Sequence, residues 1–446
     1  MTTATRSRRS PGDEPPQQYA GPPADGRGGA IPAARPGAVS PAMTRRPGSM
    51  GPVRVQQLVL VELALALLLG GWLIHPVAGP VVATAVALPL LLFGLLRRRG
   101  RPMAEWMAAA RALKARQRRN AVVVPQGTDP GFVPAVECDP ALRTYGYTDE
   151  RGQREIGMVG DGTFLTAVIQ VQAVDEPLRP ARGLRSLPLD LLHGLLTVDD
   201  IRLASVQVVQ HTQPAPAPHL PQQAVAARSY APLQAQSRTP GLRLTWVAIK
   251  LDPELCPEAV QARGGGMAGA RRALLRAADH LVSRLAGTGL EARVLTEPEI
   301  VAAVATSSCV NPLATTGGSA LDGSRQARRT SESPRTWRCD DRWHTTYWIS
   351  RWPQLGSGGT ALPDLVGLLT SSPALASTFS LVLAPGGSRA ALLSGYVRLT
   401  GRSENELVEA RRQLELLATS SRLGLVRLDR EQVPGTLATL PLGGTR

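Results

Sequence analysis

The chain has 446 residues, a formal net charge of +15 and four cysteines. A charge that large suggests a nucleic-acid binder, but it is concentrated at the flanks of the apolar stretch, and no basic face on a folded domain is visible in the sequence. Residues 1–54 carry +5, residues 97–119 carry +8, and residues 120–446 keep only +3. Cys138, Cys256, Cys309 and Cys339 stand far apart, without the paired spacing of a zinc or redox motif, so reduced thiols are expected.

Residues 1–51 are rich in Pro, Gly and Arg and poor in aliphatic side chains. Such a segment cannot bury a core, and a disordered tail is expected. Its apolar run begins too far from Met1 for a signal peptide.

Residues 52–98 hold two apolar blocks, about 55–74 and 77–96, separated only by His75–Pro76. Twenty helical residues rise ~30 Å, the thickness of a bilayer's hydrocarbon core. A transmembrane hairpin is expected. Arg45, Arg46 and Arg54 precede it and Arg97, Arg98, Arg99 and Arg101 follow it, so both termini should stay cytoplasmic. Glu62 is the one acid inside, about 10 Å from the cytoplasmic edge, where an ionisable group usually meets protein or water. The second block offers it no basic partner, so Glu62 either stays protonated, snorkels with local water or meets a residue of another chain, which makes it a candidate interchain contact. Ala66/Gly70 and Ala83/Ala87 are small pairs of the kind that let helices approach closely in lipid.

Residues 99–120 read as a basic amphipathic helix, with Met103, Trp106, Met107, Ala110 and Leu113 at helical spacing. Arg111, Lys114, Arg116, Arg118 and Arg119 suit anionic lipid headgroups, and the Met/Trp face could instead meet a neighbour.

From Ala121 the texture is α/β, with a first segment at 121–310, a flexible polar linker at 311–335 and a second segment at 336–446. Ile156–Val159 and Thr163–Val174 read as strands joined by the turn Gly160-Asp161-Gly162. A short helix at Leu187–Leu196, a strand at Leu203–Val209 and a long loop at Thr212–Pro240 follow. Then come a strand at Leu242–Leu251, a helix at Met267–Leu285, a strand at Leu290–Leu295 and a helix starting at Glu297. After the linker, Trp343–Trp352 reads as an aromatic strand and Leu362–Leu369 as a helix. Strands at Thr378–Ala384 and Leu392–Thr400 precede a helix at Glu404–Ala418, opened by Ser403 with Glu406 three positions on. Leu423–Leu428 is a further strand. The order strand, strand, helix, strand, helix start thus occurs twice, which raises a duplicated ββαβ unit with helices against mixed sheets.

No catalytic apparatus is legible. The glycine run Gly264–Gly266 lacks the Lys-Ser or Lys-Thr of a phosphate loop and reads as a flexible linker. His193, His211, His280 and His344 lack metal-site spacing and read as partly buried structural residues. Asp199-Asp200 and Asp340-Asp341 read as solvated turns. Neither HExxH nor GxSxG occurs.

A basic-flanked hairpin, a basic juxtamembrane helix and a non-catalytic α/β part resemble the EccE family of actinobacterial type VII secretion systems. The run Trp337-Arg338-Cys339-Asp340-Asp341-Arg342-Trp343 through Trp352-Pro353 is similar to that family's aromatic strand ending in Trp-Pro. Ile156-Gly157-Met158-Val159-Gly160-Asp161-Gly162-Thr163 is similar to its first core hairpin. The scarcity of lysine, only Lys114 and Lys250, fits a GC-rich genome. The resemblance implies a scaffold in the inner-membrane complex beside EccB, EccC and EccD, without cofactor, catalytic residues, metal or nucleic acid. Candidate interface residues are Glu62, Trp106, Met107, Trp348, Arg351 and Trp352. A membrane-anchored enzyme of envelope metabolism and a membrane-tethered ligand sensor are the alternatives.

Overall fold

The computed structural model describes residues 55–74, 78–95, 97–98, 101–118, 124–149, 153–173, 186–214, 225, 228–229, 242–313, 328–355, 359–386 and 391–445. The expected tail, residues 1–51, lies outside them, as does nearly all of the expected loop after Gln213.

Two apolar helices come first, α1 (Val55–Ile74) and α2 (Ala78–Leu95), of 20 and 18 residues. They pack through small side chains: Ala64, Ala83 and Ala87 are buried, and a Cβ on Gly71 would meet that of Ala83 at 2.5 Å. Of the two small pairs, Ala83/Ala87 therefore serves the contact within the hairpin. Ala66 is exposed and Gly70 has no heavy atom against it. Among the described residues, no helix is long and apolar enough to cross a membrane. Two short strands, β1 (Arg97–Arg98) and β2 (Arg101–Pro102), pair and lead into α3 (Met103–Arg118).

The α/β part is built on one antiparallel sheet of twelve strands. Its first seven members are β3 (Arg143–Asp149), β4 (Arg154–Gly160), β5 (Leu165–Ala173), β8 (Ser205–Gln213), β9 (Leu242–Leu251), β10 (Leu290–Val294) and β11 (Thr330–Glu332). The others are β12 (Trp337–Cys339), β13 (Arg342–Arg351), β14 (Ala376–Pro385), β15 (Ala391–Gly401) and β16 (Gly424–Arg427). A small separate hairpin joins β6 (Thr197–Val198) to β7 (Ile201–Arg202). The expected mixed sheets are thus corrected: every paired strand is antiparallel, and one sheet spans both sides of the 311–335 segment.

The order is β11-β12-β13-β15-β14-β8-β9-β5-β4-β3, which reads the same from either end about the β14·β8 pair. β5 pairs β4 with its first residues and β10 with its last. In the same way β13 pairs β12 with its first residues and β16 with its last. Leu295 donates its N–H to Val168 O at 2.9 Å, and Leu428 donates to Thr346 O at 3.0 Å. The repeat is therefore larger than a ββαβ unit and takes in the three strands before it.

Helices cover both faces. On one lie α5 (Leu189–Gly194), α6 (Pro257–Ala262), α7 (Gly266–Ala286), α9 (Leu362–Thr370) and α10 (Glu404–Ser420). Ala270, Ala273, Leu274, Ala277, Ala278, Leu281 and Leu285 of α7 recur every three or four residues and are buried there. The large inward partners are Ile169, Ile249, Phe379, Leu381, Val397 and Leu399. On the other face lie α4 (Val133–Cys138), α8 (Glu297–Ser307), α11 (Gln432–Leu437) and the chain end. Side chains alternate between faces along each strand, as the pleat requires.

Local signals explain most boundaries. Thr296 and Glu299 close a capping box on α8, the Thr296 N–H donating to Glu299 Oε2 at 2.9 Å. Ser403 Oγ accepts from Glu406 N at 3.2 Å and opens α10. The glycine run between α6 and α7, expected as a flexible linker, takes a turn conformation that only glycine adopts readily. Gly264, Gly265 and Gly266 all have positive φ, and a Cβ on Gly269 would sit 2.2 Å from Val260 O. The polar segment 311–335 is likewise corrected at its far end. Thr330–Glu332 is the edge strand β11, because the buried Glu137 carboxylate accepts from Arg329 N, Thr330 N and Thr330 Oγ1.

Candidate functional site: a clasp on the basic helix and a buried polar layer

Helix α3 divides its side chains between two surroundings. Ala109 and Leu113 are buried, Trp106 is half-buried, and the Arg430 guanidinium lies 3.6 Å from the centre of the Trp106 ring. One turn beyond Leu113, Arg116 grips the edge of the sheet. Its Nε and Nη2 donate to the two carboxylate oxygens of Glu332 at 2.8 and 3.0 Å, and Nη2 also donates to Arg430 O at 2.7 Å. Gln117 Nε2 donates to Glu332 O at 3.0 Å. Glu332 Oε1 accepts in addition from Val433 N at the start of α11, and the Glu332 side chain is only 4% exposed. The basic helix is therefore fastened to the α/β body by a charge-assisted clasp. Met107, Arg111, Lys114 and Arg118 recur on the opposite, exposed stripe.

The structure separates the six sequence-derived candidates. Glu62 is exposed on α1, on the same side as Ala66 and Gly70 at four-residue spacing. Trp106 is spent on Arg430, while Met107 is 40% exposed. Trp348 is half-buried against Tyr396, Leu428 and Ala438. Trp352 is half-buried over Gly395, where a Cβ would come within 2.5 Å of its ring. Arg351 alone of that strand's trio is exposed.

Sequence reasoning missed the polar layer on the sheet face under the chain end. Gln207 Nε2 donates to Ala438 O and Leu440 O at 3.0 Å each and to Ser380 Oγ at 2.9 Å. Its Oε1 accepts from Gly443 N and Gly444 N at 2.8 and 2.9 Å. Lys250 Nζ donates to Gly444 O at 3.0 Å and sits 3.7 Å from the centre of the Phe164 ring. In the other half, Arg398 is fully buried and donates from Nη2 to Ser307 O at 2.6 Å. His211 Nδ1 and Thr378 Oγ1 are 3.0 Å apart, as are His344 Nδ1 and Thr400 Oγ1. Burial, and next the charge of Arg398, push His211 down to about 3 and His344 well below its ordinary value. Single polar residues inside strands carry no pattern, so nothing in the sequence distinguishes Gln207 or Arg398.

The other polar candidates from the sequence are placed as follows. His193 is exposed. Asp199 and Asp200 are exposed and paired with Arg276 and Arg263. Asp340, read as a solvated turn, is instead drawn into a two-point pair with Arg329 at 2.8 and 2.7 Å. A groove of about 490 Å³ beside β10 is lined by Gln170, Gln172, Glu291 and Arg293. Its Arg293 is already engaged by Gln170 and Glu299. Among the described residues, no group of His, Cys, Asp and Glu could hold a metal ion.

No curated protein matches the chain. Residues 239–349, from the approach to β9 into β13, match the model of a family described as a type VII ESX secretion system translocon component. That family is EccE, and the match takes in 111 of the chain's 446 residues. The matched stretch crosses from the first half of the sheet into the second and includes Trp343 and Trp348.

Proposed function

We propose that this protein is a non-catalytic structural component of the type VII secretion inner-membrane complex, docking to EccB, EccC and EccD. On this reading the chain comprises a tail (1–51), a transmembrane hairpin (52–98), a juxtamembrane helix (99–120) and an α/β body. The body is contributed by residues 121–310 and 336–446 and joined through 311–335. Both termini lie on the cytoplasmic side of the cell membrane.

The observation that carries the reading is the outward surface of α1 and α2. At ~1.5 Å per residue they reach about 30 and 27 Å, and the large apolar side chains they turn outward are Leu, Val and Trp. Leu69, Leu73 and Val81 are 62%, 71% and 69% exposed. Water would not tolerate such a surface, and lipid would favour it. Glu62, Ala66 and Gly70 form the one line on α1 where a neighbouring helix could approach closely and bring a partner to the acid. Arg111, Lys114 and Arg118 would face anionic headgroups, with Met107 beside them. Arg351 and the edges of Trp348 and Trp352 are left for a protein contact, and no nucleic acid is called for.

Deleting the gene should abolish export of the system's substrates, and detergent-solubilised complexes should contain EccC and EccD. Normal export in the deletion strain rejects the scaffold role. Replacing Glu62 by Leu should weaken co-purification of the other subunits without altering the folded body.

A further inference from the structure

Arg398 is fully buried in β15, and among the described residues its hydrogen-bond partners are Ser307 and Thr378, neither of them a carboxylate. Its Nη2 is spent on Ser307 O and Ser307 Oγ at 2.6 and 2.9 Å, with Thr378 Oγ1 at 3.5 Å. Its Nε and Nη1 have no hydrogen-bond partner. Directly across the ladder stands Thr346 on β13, whose Oγ1 is also buried without a partner. Two residues along the same face comes His344, with Nε2 unpartnered, and opposite it Trp337, with Nε1 unpartnered. The rings of Trp337 and His344 lie 4.8 Å apart. Ser308, beside the residue that Arg398 holds, has an unpartnered buried Oγ as well.

The surplus is in donors. A guanidinium withdrawn from water without a counter-charge is among the costliest arrangements a fold can hold. The nearby thiols do not supply the charge, since burial raises Cys138, Cys309 and Cys339 and keeps them protonated. The two histidines stay neutral and add none.

We propose that Arg398, with Thr346, His344, Trp337 and Ser308 around it, holds one small monovalent anion of the halide class in the second half of the sheet. One positive charge among neutral donors calls for one negative charge. Full burial favours an ion that sheds its hydration shell readily, and a divalent oxyanion would leave an excess negative charge.

The test uses the full chain purified in detergent, with thermal unfolding followed at constant ionic strength while sodium gluconate is replaced by sodium chloride or bromide. A saturable rise in Tm with either halide is expected, because a ligand bound only by the folded state stabilises it. Arg398→Gln should abolish the rise. Should that variant fail to fold, bromide-soaked crystals of the unaltered protein decide by anomalous scattering beside Arg398. Equal Tm values in all three salts, or a water in place of bromide, overturns the proposal.

Discussion

The two halves of the sheet share an order of strands and helices but solve the same problem with opposite chemistry. In the first half, Gln207 receives the end of the chain through a neutral amide that both donates and accepts. In the second, Arg398 receives the end of α8 through a charged group that can only donate. The amide is fully satisfied, whereas the guanidinium is left with unused hydrogens. The comparison teaches that a duplicated backbone plan constrains where a helix end must be caught, and not which side chain catches it. A second contrast lies at the edges. β11 is clasped to α3 through Glu332, while β3 at the other edge of the sheet pairs only with β4.

Acid offers the largest test. The folded state depresses His211 and His344, so each contributes stability above its unfolded value near 6.5, lost as pH falls toward the folded value. Below pH 6.5 the two together should cost up to about 2.7 kcal/mol per pH unit. Denaturant melts between pH 7 and 5 measure that slope, and His211→Gln should halve it. An unchanged slope would mean that the two halves do not each hold a neutral imidazole.

Next comes Gln207→Ala, which strands Ala438 O, Leu440 O, Gly443 N and Gly444 N in a buried layer. A loss of about 3 kcal/mol is expected, with faster carboxypeptidase trimming of the chain end. Arg116→Ala should cost about 2 kcal/mol, since it removes a two-point partner from a nearly buried carboxylate. Hydrogen exchange should then speed up in α3 and at β11 while β3, at the opposite edge, is unaffected. Ser403→Ala removes the cap of α10 and should cost about 1 kcal/mol. The smallest effect belongs to Arg154→Ala, whose pair with Asp279 is half-exposed on both sides. It should fall within about 0.5 kcal/mol of zero by chemical denaturation.

Periodicity found the long strands and helices because their signal is local. The aromatic strand at β13, the helices α7 and α10 and the doubled order of elements all follow from alternation, helical spacing and caps. The short elements carried no such signal. β3 mixes Arg, Thr, Tyr and Gly, α4 and α11 have six residues each, and β11 sits in a stretch that composition marks as a linker. These form because distant groups claim them: Glu137 claims Thr330, and Gln432 Oε1 accepts from Thr346 N at 2.9 Å. The candidate site divides the same way. Glu62, Met107 and Arg351, named from sequence as interface candidates, are exposed. Trp106 could not be recognised as spent, since Arg430 lies 324 residues further on.

What the sequence alone determined is the partition of the chain: the apolar hairpin, the basic helix behind it and the α/β texture of the rest. Those properties depend on side chains within a few turns of one another, where hydrophobic spacing and charge act without help from the fold. Tertiary structure decided that the strands on both sides of a polar segment join one antiparallel sheet. It also decided that Arg116 would find Glu332 and that Gln207 and Arg398 would lie under the C-terminal ends of α11 and α8. Backbone ladders and buried polar pairs are satisfied wherever geometry brings a partner, and sequence separation does not record that distance.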